Sequence, residues 1–154
     1  MKHDHADIRY VDVLDQEGLR RHYGPDPTVN KDAIPHIDFS MTTDVGVLSL
    51  AQPVRAGAPF DWVVASHVIE HVPDVLGWLD DLAEVTTDGA AVVLMVPDRR
   101  FTFDIHRQQT TVGQLLEAHG MRPSSPSIRA VYDHFASAAK IEPAQAWPRS
   151  RPDR

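Results

Sequence analysis

Two short apolar runs joined by one amphipathic stretch constrain the fold of this chain more than any other feature. The runs are FDWVVA at residues 60–65 and AAVVLMV at residues 90–96. Each has the length and the β-branched composition of a strand. A strand that is apolar at nearly every position is typical of a parallel sheet covered on both faces. We therefore expect both strands to be central, parallel and buried.

The segment between the two runs is predicted to be a helix that has Pro73 in its first turn. Leu76, Leu79 and Ala83 form an apolar stripe, and acidic residues occupy the opposite face. A strand, a helix and a second strand in this order make a right-handed βαβ unit. The fold class predicted from this unit is α/β, with a Rossmann-like, doubly wound and mostly parallel sheet.

Weaker patterns predict the remaining elements. Strands are expected at residues 8–14 and 33–39. Thr111 and Gln114 form a capping-box pair at the start of a helix that Gly120 would end, and a last helix is expected at 127–139. The proline-rich residues 141–154 are expected to be a disordered tail, which leaves residues 1–140 as one domain.

Composition excludes several classes of function. The formal net charge is −7, and the Lys and Arg residues are mostly dispersed, which disfavours nucleic acid as a partner. No apolar run approaches the ~18 residues of a membrane-spanning helix, so no membrane span is expected. The chain has no cysteine and its first residues lack a secretory pattern, which predicts a cytoplasmic protein.

Ligands of open parallel sheets bind at the carboxyl ends of the strands, and two acidic residues are placed there. Asp12 could accept hydrogen bonds from both hydroxyls of a ribose, and the alternative is a turn aspartate. Asp38 could accept a hydrogen bond from an adenine amino group, and Phe39 could offer its aromatic face to the adenine ring. The alternative there is a turn aspartate next to a core phenylalanine.

Residues 65–74, ASHVIEHVPD, are the most distinctive stretch, and they allow two interpretations. His67, Glu70 and His71 match the H-x-x-E-H pattern of a zinc hydrolase. That site requires both histidines on one helical face, whereas Pro73 favours a helix that begins only near residue 73. We therefore expect no metal.

In the second interpretation, the same stretch is the loop after a central strand. Ser66 and His67 would then line a cofactor crevice, while Glu70 and His71 would face a substrate. His71 could act as a general base near neutral pH, or it could merely cap the following helix.

The residues from Phe60 to Asp104 resemble the fourth strand, the following helix and the fifth strand of class I S-adenosylmethionine-dependent methyltransferases. An F-D-x-V strand, an E-H-V turn and a strand that ends in proline carry the resemblance. The stretches RYVDVLDQEGLRRHYGPDP, FTFDIHRQQTT and VYDHF are similar to a bacterial, methyltransferase type 11-like subgroup that is often encountered near polysaccharide genes.

This resemblance implies S-adenosylmethionine as the cofactor, with residues in defined roles. Asp12 would bind the ribose, and Asp38 with Phe39 would contact the adenine. Ser66 and His67 would form the loop beneath the methionine end. The methyl acceptor would be a sugar, another glycan-related compound or a small polar metabolite.

The sequence also departs from the family pattern. No strand with a glycine-rich turn precedes Ile8, none of the eight glycines forms a G-x-G, and the last strands of the fold are missing. We therefore expect a truncated domain, which would follow if Met1 is not the true start of the protein. Its exposed sheet edge is expected to allow oligomer formation.

Three functional hypotheses follow. The first is a methyltransferase whose activity the truncation could abolish. The second is a non-catalytic remnant that pairs with a methyltransferase subunit, and the third is the zinc hydrolase.

Overall fold

The computed structural model describes residues 7–139, in which short strands alternate with helices. The strands are β1 (Val11–Asp12), β2 (Phe39–Ser40), β3 (Thr42–Thr43), β4 (Gly46–Val47), β5 (Phe60–Ser66) and β6 (Thr86–Met95). The helices are α1 (Gln16–His22), α2 (Ala51–Val54), α3 (Val75–Val85), α4 (Val112–Met121) and α5 (Ile128–Ser137). Single 3-10 turns occur at Lys31–Ala33, Arg55–Gly57, Ile69–His71 and Arg99–Phe101. The tail predicted at 141–154 lies outside the described residues.

The chain divides into two compact units. The first takes in the chain up to Phe60 together with Asp80–Asp88. The second takes in Asp61–Leu79 and the described chain from Gly89 onward. The boundaries fall at the start of β5, within α3 and within β6. Each unit therefore contains part of the predicted βαβ segment.

A short parallel sheet organises the first unit. Strand β1 pairs with β2 in a register that places Val11 opposite Phe39, and β3 pairs with β4 as an antiparallel hairpin. Both predicted strands of this region are shorter than expected, because only 11–12 of 8–14 and only residue 39 of 33–39 are strand. The prediction is wrong at Ala33, which ends a 3-10 turn that begins where the Asn30 side chain accepts the Asp32 amide at 3.1 Å.

The first unit has a closed apolar core. Helix α1 begins at Asp15, whose side chain accepts the Gly18 amide at 2.7 Å, and this cap directs Leu19 inward. Buried apolar side chains come from both parts of this unit: Leu19, Leu50, Ala51, Val54, Leu82 and Val85. The contributions of Leu82 and Val85 show that the carboxyl-terminal half of α3 belongs to this core.

Strands β5 and β6 form the sheet of the second unit. The amide of His67, directly after β5, donates to the carbonyl of Met95 at the end of β6 with a distance of 2.9 Å. The carboxyl ends of the two strands are therefore adjacent, as the predicted parallel pairing requires. Strand β6 begins at Thr86 rather than residue 90, and Gly89 within it has a φ of +81°, which favours glycine.

The prediction that both strands are buried on two faces is wrong. Trp62 is 69% exposed and Val64 is 64% exposed, while Ala65 on the other face of β5 is buried. The apolar residues of β6 from Val92 to Met95 are 36% to 48% exposed. The composition favours a strand through local sterics, but burial also requires a second layer over each face, and the apolar pattern alone does not supply that layer.

Capping side chains set the helix ends of the second unit. Helix α3 begins at Val75 rather than Pro73, because Asp74 accepts the Gly77 amide at 2.9 Å. The Thr111 and Gln114 capping box of α4 is confirmed. The predicted end at Gly120 is wrong, since α4 continues to Met121 and Arg122 adopts the left-handed conformation with a φ of 47°.

The last predicted helix, at 127–139, is confirmed as α5, which Ser127 caps through the Ala130 amide at 3.1 Å. No helix within residues 7–139 is both long and apolar enough to cross a lipid bilayer.

Candidate functional site

Asp12 lies at the carboxyl end of β1, where the parallel-sheet rule places ligands. It is partly buried, and its Oδ1 accepts the Leu14 amide at 3.3 Å, which holds the carboxylate over the turn that follows the strand. The second oxygen, Oδ2, has no hydrogen-bond partner within residues 7–139. One acceptor of this carboxylate is therefore available to a ligand hydroxyl.

Asp38 has a different environment, because its carboxylate joins the start of β2 to the residues before β1. Its Oδ2 accepts the Tyr10 amide at 2.8 Å and its Oδ1 accepts Arg9 Nη1 at 3.1 Å. These bonds lower the pKa of Asp38, the Tyr10 amide contributing most and Arg9 less. An adenine amino group would have to share an oxygen that already has a partner.

The ring of Phe39 packs inside the first unit. It contacts the Phe60 ring edge-on, with centroids 6.5 Å apart, and it lies over Gly57. A Cβ atom at position 57 would come within 2.7 Å of Phe39 Cζ, so a larger residue there would require the Phe39 ring to shift. The structure thus gives Phe39 a packing role, and its predicted adenine contact stays a prediction.

His67 is the most constrained residue at the carboxyl end of β5. Its φ of 54° lies in the left-handed region, which few residues other than glycine adopt. Its Nδ1 lies 3.4 Å from Glu70 Oε1, and its side chain is 65% exposed whereas that of Glu70 is 25% exposed. The structure thus pairs His67 with Glu70 and leaves one face of the imidazole open to solvent.

Ser66 and His71 flank this pair. Ser66 is the exposed last residue of β5, and His71 ends the 3-10 turn with its amide donated to the Val68 carbonyl at 2.9 Å. The sequence hypothesis grouped Glu70 with His71, and the structure brings Glu70 to His67 instead.

The H-x-x-E-H residues do not form the helical arrangement of a zinc hydrolase. His67 has a left-handed backbone and His71 belongs to a 3-10 turn, so the two side chains do not share one face of an α-helix. Across the part of the chain that the structure describes, no three ligand-type residues gather into a possible metal group.

The loop after β6 contains arginines that already have partners. Arg100 forms a two-pronged ion pair with Asp98, which lowers the pKa of Asp98 to about 2. Arg99 donates to the Arg107 carbonyl. Both guanidinium groups are therefore engaged by groups of this same loop.

Two ionisable clusters in the second unit were missed by sequence reasoning. His119 Nδ1 lies 3.3 Å from the helix-capping Asp74, and His134 Nδ1 lies 3.7 Å from Asp104. Asp104 Oδ1 is buried without a hydrogen-bond partner in the described chain. Sequence spacing carries no signal for these clusters, because their members are 30 to 45 residues apart.

Comparison with protein families decides the relationship. A family model described as a methyltransferase domain matches residues 8–146. This chain belongs to the class I S-adenosylmethionine-dependent methyltransferases. Comparisons with curated proteins and with solved structures gave no significant match.

Membership in the methyltransferase family confirms the resemblance inferred from the β5 to β6 region, and it implies a Rossmann-like α/β fold. The helices and short parallel sheets of the two units are consistent with that fold. The proposed subgroup and the missing glycine-rich motif stay predictions.

Domains of this family use S-adenosylmethionine, and the described residues fit part of that molecule. The available Asp12 oxygen suits a ribose hydroxyl, because the hydroxyl can donate a hydrogen bond and a carboxylate oxygen accepts one. The fit is weaker for the adenine, since both oxygens of Asp38 are engaged. The two glycines with positive φ, Gly46 and Gly89, do not follow β1 or β5, so neither forms a turn at those strand ends.

Proposed function

We propose that this methyltransferase-family chain transfers a methyl group to a small polar or glycan-related acceptor. The position and the available oxygen of Asp12 are the main structural support, because they match what a nucleoside cofactor needs at the end of a parallel strand. When bound, S-adenosylmethionine supplies a methyl group on a positively charged sulfur.

The residues after β5 would serve the acceptor. His71 is exposed and lies on a short turn, so its imidazole can approach an acceptor hydroxyl and take its proton. Glu70 would act through His67, because its carboxylate faces His67 Nδ1 and fixes the orientation of that ring. Ser66 and His67 would border the methionine end of the cofactor.

The reaction would then depend mainly on positioning. The acceptor oxygen must lie in line with the bond that breaks between sulfur and the methyl carbon. Holding two reactants in that geometry lowers the activation free energy by several kcal/mol. Asp38 and Phe39 would support the adenine side by fixing β2 against β1 and against Phe60.

The direct test is a calorimetric titration of S-adenosylmethionine and S-adenosylhomocysteine into the full chain. We expect saturable binding, and Asp12→Ala should weaken it by about tenfold or more, since a bond to a charged acceptor contributes roughly 1.5–3 kcal/mol. The matched control is Asp44→Ala, which removes an exposed aspartate from the β3–β4 turn. Equal affinity of Asp12→Ala and wild type would refute the assigned ribose contact.

A second candidate function is a non-catalytic partner subunit of a methyltransferase. The exposed apolar faces of β5 and β6 favour it, because large uncovered apolar surfaces mark interaction sites. Absence of cofactor binding by folded protein would favour this candidate over the enzyme.

A further inference from the structure

A carboxylate and an imidazole of the second unit face each other outside the loop that follows β5. Asp104 lies in the loop after β6, and His134 lies on α5 with its Nδ1 3.7 Å from Asp104 Oδ1. That oxygen is buried and has no hydrogen-bond partner in the described chain. A buried carboxylate oxygen without a partner is unfavourable for folding, so the arrangement calls for an explanation other than stability.

Two aromatic rings fix the orientation of the His134 imidazole. Phe103 contacts it edge-on with ring centroids 5.4 Å apart, and Phe135 does so with centroids 5.1 Å apart. Within residues 7–139 its Nε2 atom has no hydrogen-bond or ion-pair partner, and the side chain is 40% exposed. The ring thus presents one nitrogen to a carboxylate and leaves the other nitrogen accessible.

The loop that contains the carboxylate is bonded to α5 at several points. Arg107 Nη1 lies 3.6 Å from Asp104 Oδ2, and Arg107 Nη2 donates to the Ala130 carbonyl at 3.3 Å. The Ala139 amide, just after the helix, donates to the Phe103 carbonyl at 2.8 Å. Helix α5 is therefore attached to the segment that leaves the carboxyl end of β6, which is the edge where parallel sheets bind ligands.

We propose that His134 is the general base that removes the acceptor proton, with Asp104 as its positioning residue. This assignment rests on the proposed function, because it needs an acceptor hydroxyl that loses a proton. A carboxylate at one nitrogen of an imidazole fixes the tautomer and makes the other nitrogen more basic. Hydrogen bonds within such pairs are often long before the reactants bind, so a separation of 3.7 Å is compatible with this role.

The proton and the electrons of the transfer step are then accounted for. Nε2 of His134 takes the proton while the acceptor oxygen bonds to the methyl carbon. The electrons of the broken carbon–sulfur bond remain on sulfur, whose positive charge is neutralised. His71 has no ion-pair partner among the described residues, so no carboxylate orients its ring. His71 then contacts the acceptor, and the proton goes to the histidine that a carboxylate orients.

Acylation of histidines by diethyl pyrocarbonate tests the pair without cofactor or acceptor. At about pH 8, where imidazoles are mostly neutral, His134 should react at least about threefold faster than the exposed His106 of the loop after β6. Asp104→Asn should remove this difference, because an amide lacks the charge that makes Nε2 basic. The control is Asp133→Asn, which removes an equal charge that pairs with Arg129 on the same helix. Equal wild-type rates at the two histidines, or equal effects of the two variants, would overturn the proposal.

Transfer of a tritiated methyl group to the methyl glycosides of glucose, mannose and rhamnose tests the catalytic role. His134→Gln should lower kcat by about 100-fold or more, since a general base contributes at least that much, and should leave the affinity for S-adenosylhomocysteine unchanged. Asp104→Asn should lower kcat less and shift the pH profile of the rate. An unchanged kcat in His134→Gln would overturn the assignment and leave the proposed function standing. A wild type that binds S-adenosylhomocysteine but methylates none of these glycosides would refute the proposed function, and the role of His134 would fall with it.

Discussion

The two units of this chain differ in how they treat apolar side chains. Among the residues that the structure describes, the first unit buries a set of apolar side chains from Leu19 to Val85, whereas the second buries only Ala65 and Trp78. The second unit exposes apolar residues on its strands and helices, including Trp62, Leu116 and Phe135. The difference indicates that the first unit is held mainly by its own core and the second by capping and local bonds.

Truncation of a core leucine should have the largest effect on this comparison. Leu82→Ala removes a side chain that is 4% exposed in the first unit, and a buried leucine-to-alanine change costs about 2–5 kcal/mol. Leu116→Ala, at a residue that is 60% exposed in α4, should change the free energy of unfolding by only about 0.5 kcal/mol. Urea unfolding of both variants measures the contrast, and equal destabilisation would contradict the difference between the units.

Removal of a helix cap in the second unit should have an intermediate effect. Asp74→Ala leaves the Gly77 amide without its acceptor and takes away the carboxylate beside His119, and such caps contribute about 0.5–2 kcal/mol. Asp74→Ser should recover most of the loss, because a serine hydroxyl can accept the same amide. The matched control is Glu117→Ala on the exposed surface of α4, and thermal unfolding that ranks it with Asp74→Ala would remove the capping argument.

The smallest expected effects are changes in the pKa of two aspartates, Asp98 in the second unit and Asp38 in the first. The two carboxylates differ in whether a side chain or a backbone amide lowers the pKa most. The pKa of Asp98 is lowered mainly by the Arg100 side chain, whereas that of Asp38 is lowered mainly by the Tyr10 backbone amide. Arg100→Ala should therefore raise the pKa of Asp98 from about 2 toward 3.8, and Arg9→Ala should raise that of Asp38 only in part. Nuclear magnetic resonance titration of the carboxyl carbons measures both.

The direction of the linked stability change follows from these lowered values. A carboxyl group with a lower pKa in the folded state stabilises the fold above its unfolded pKa, and this contribution is lost as the pH falls through the folded value. For Asp98 the loss should extend from about pH 4 down to about pH 2, and it should be smaller in Arg100→Ala, where the backbone amide of residue 100 still donates to the carboxylate. An unchanged Asp98 titration in that variant would show that another group holds the carboxylate.

Local sequence signals predicted the parts of the fold that depend on few residues. The capping box at Thr111 and the strand at β5 follow from neighbouring side chains, and both are present. Burial of that strand depends on layers contributed from elsewhere, so apolar composition overstated it. Gly120 does not end α4, although glycine readily adopts the left-handed conformation that ends many helices. Arg122, directly before Pro123, adopts that conformation instead.

The candidate site was predictable where position along a strand decides it. Asp12 falls at a strand end by counting residues, and the structure leaves one of its oxygens available. The pairing of Glu70 with His67 rather than with His71 depends on a backbone reversal at His67. No periodicity encodes such a reversal, which accompanies a long-range hydrogen bond from the His67 amide to the Met95 carbonyl at the end of β6.

The left-handed backbone at His67 also sets the stability of the fold against the side chain that the loop carries. A left-handed residue other than glycine costs roughly 1–2 kcal/mol, so glycine would relieve the backbone at position 67. The stability of the fold alone would therefore favour glycine over histidine at this position. Selection of this chain for thermal stability would therefore favour glycine at position 67. Such a variant would be more stable but would lack the imidazole that pairs with Glu70.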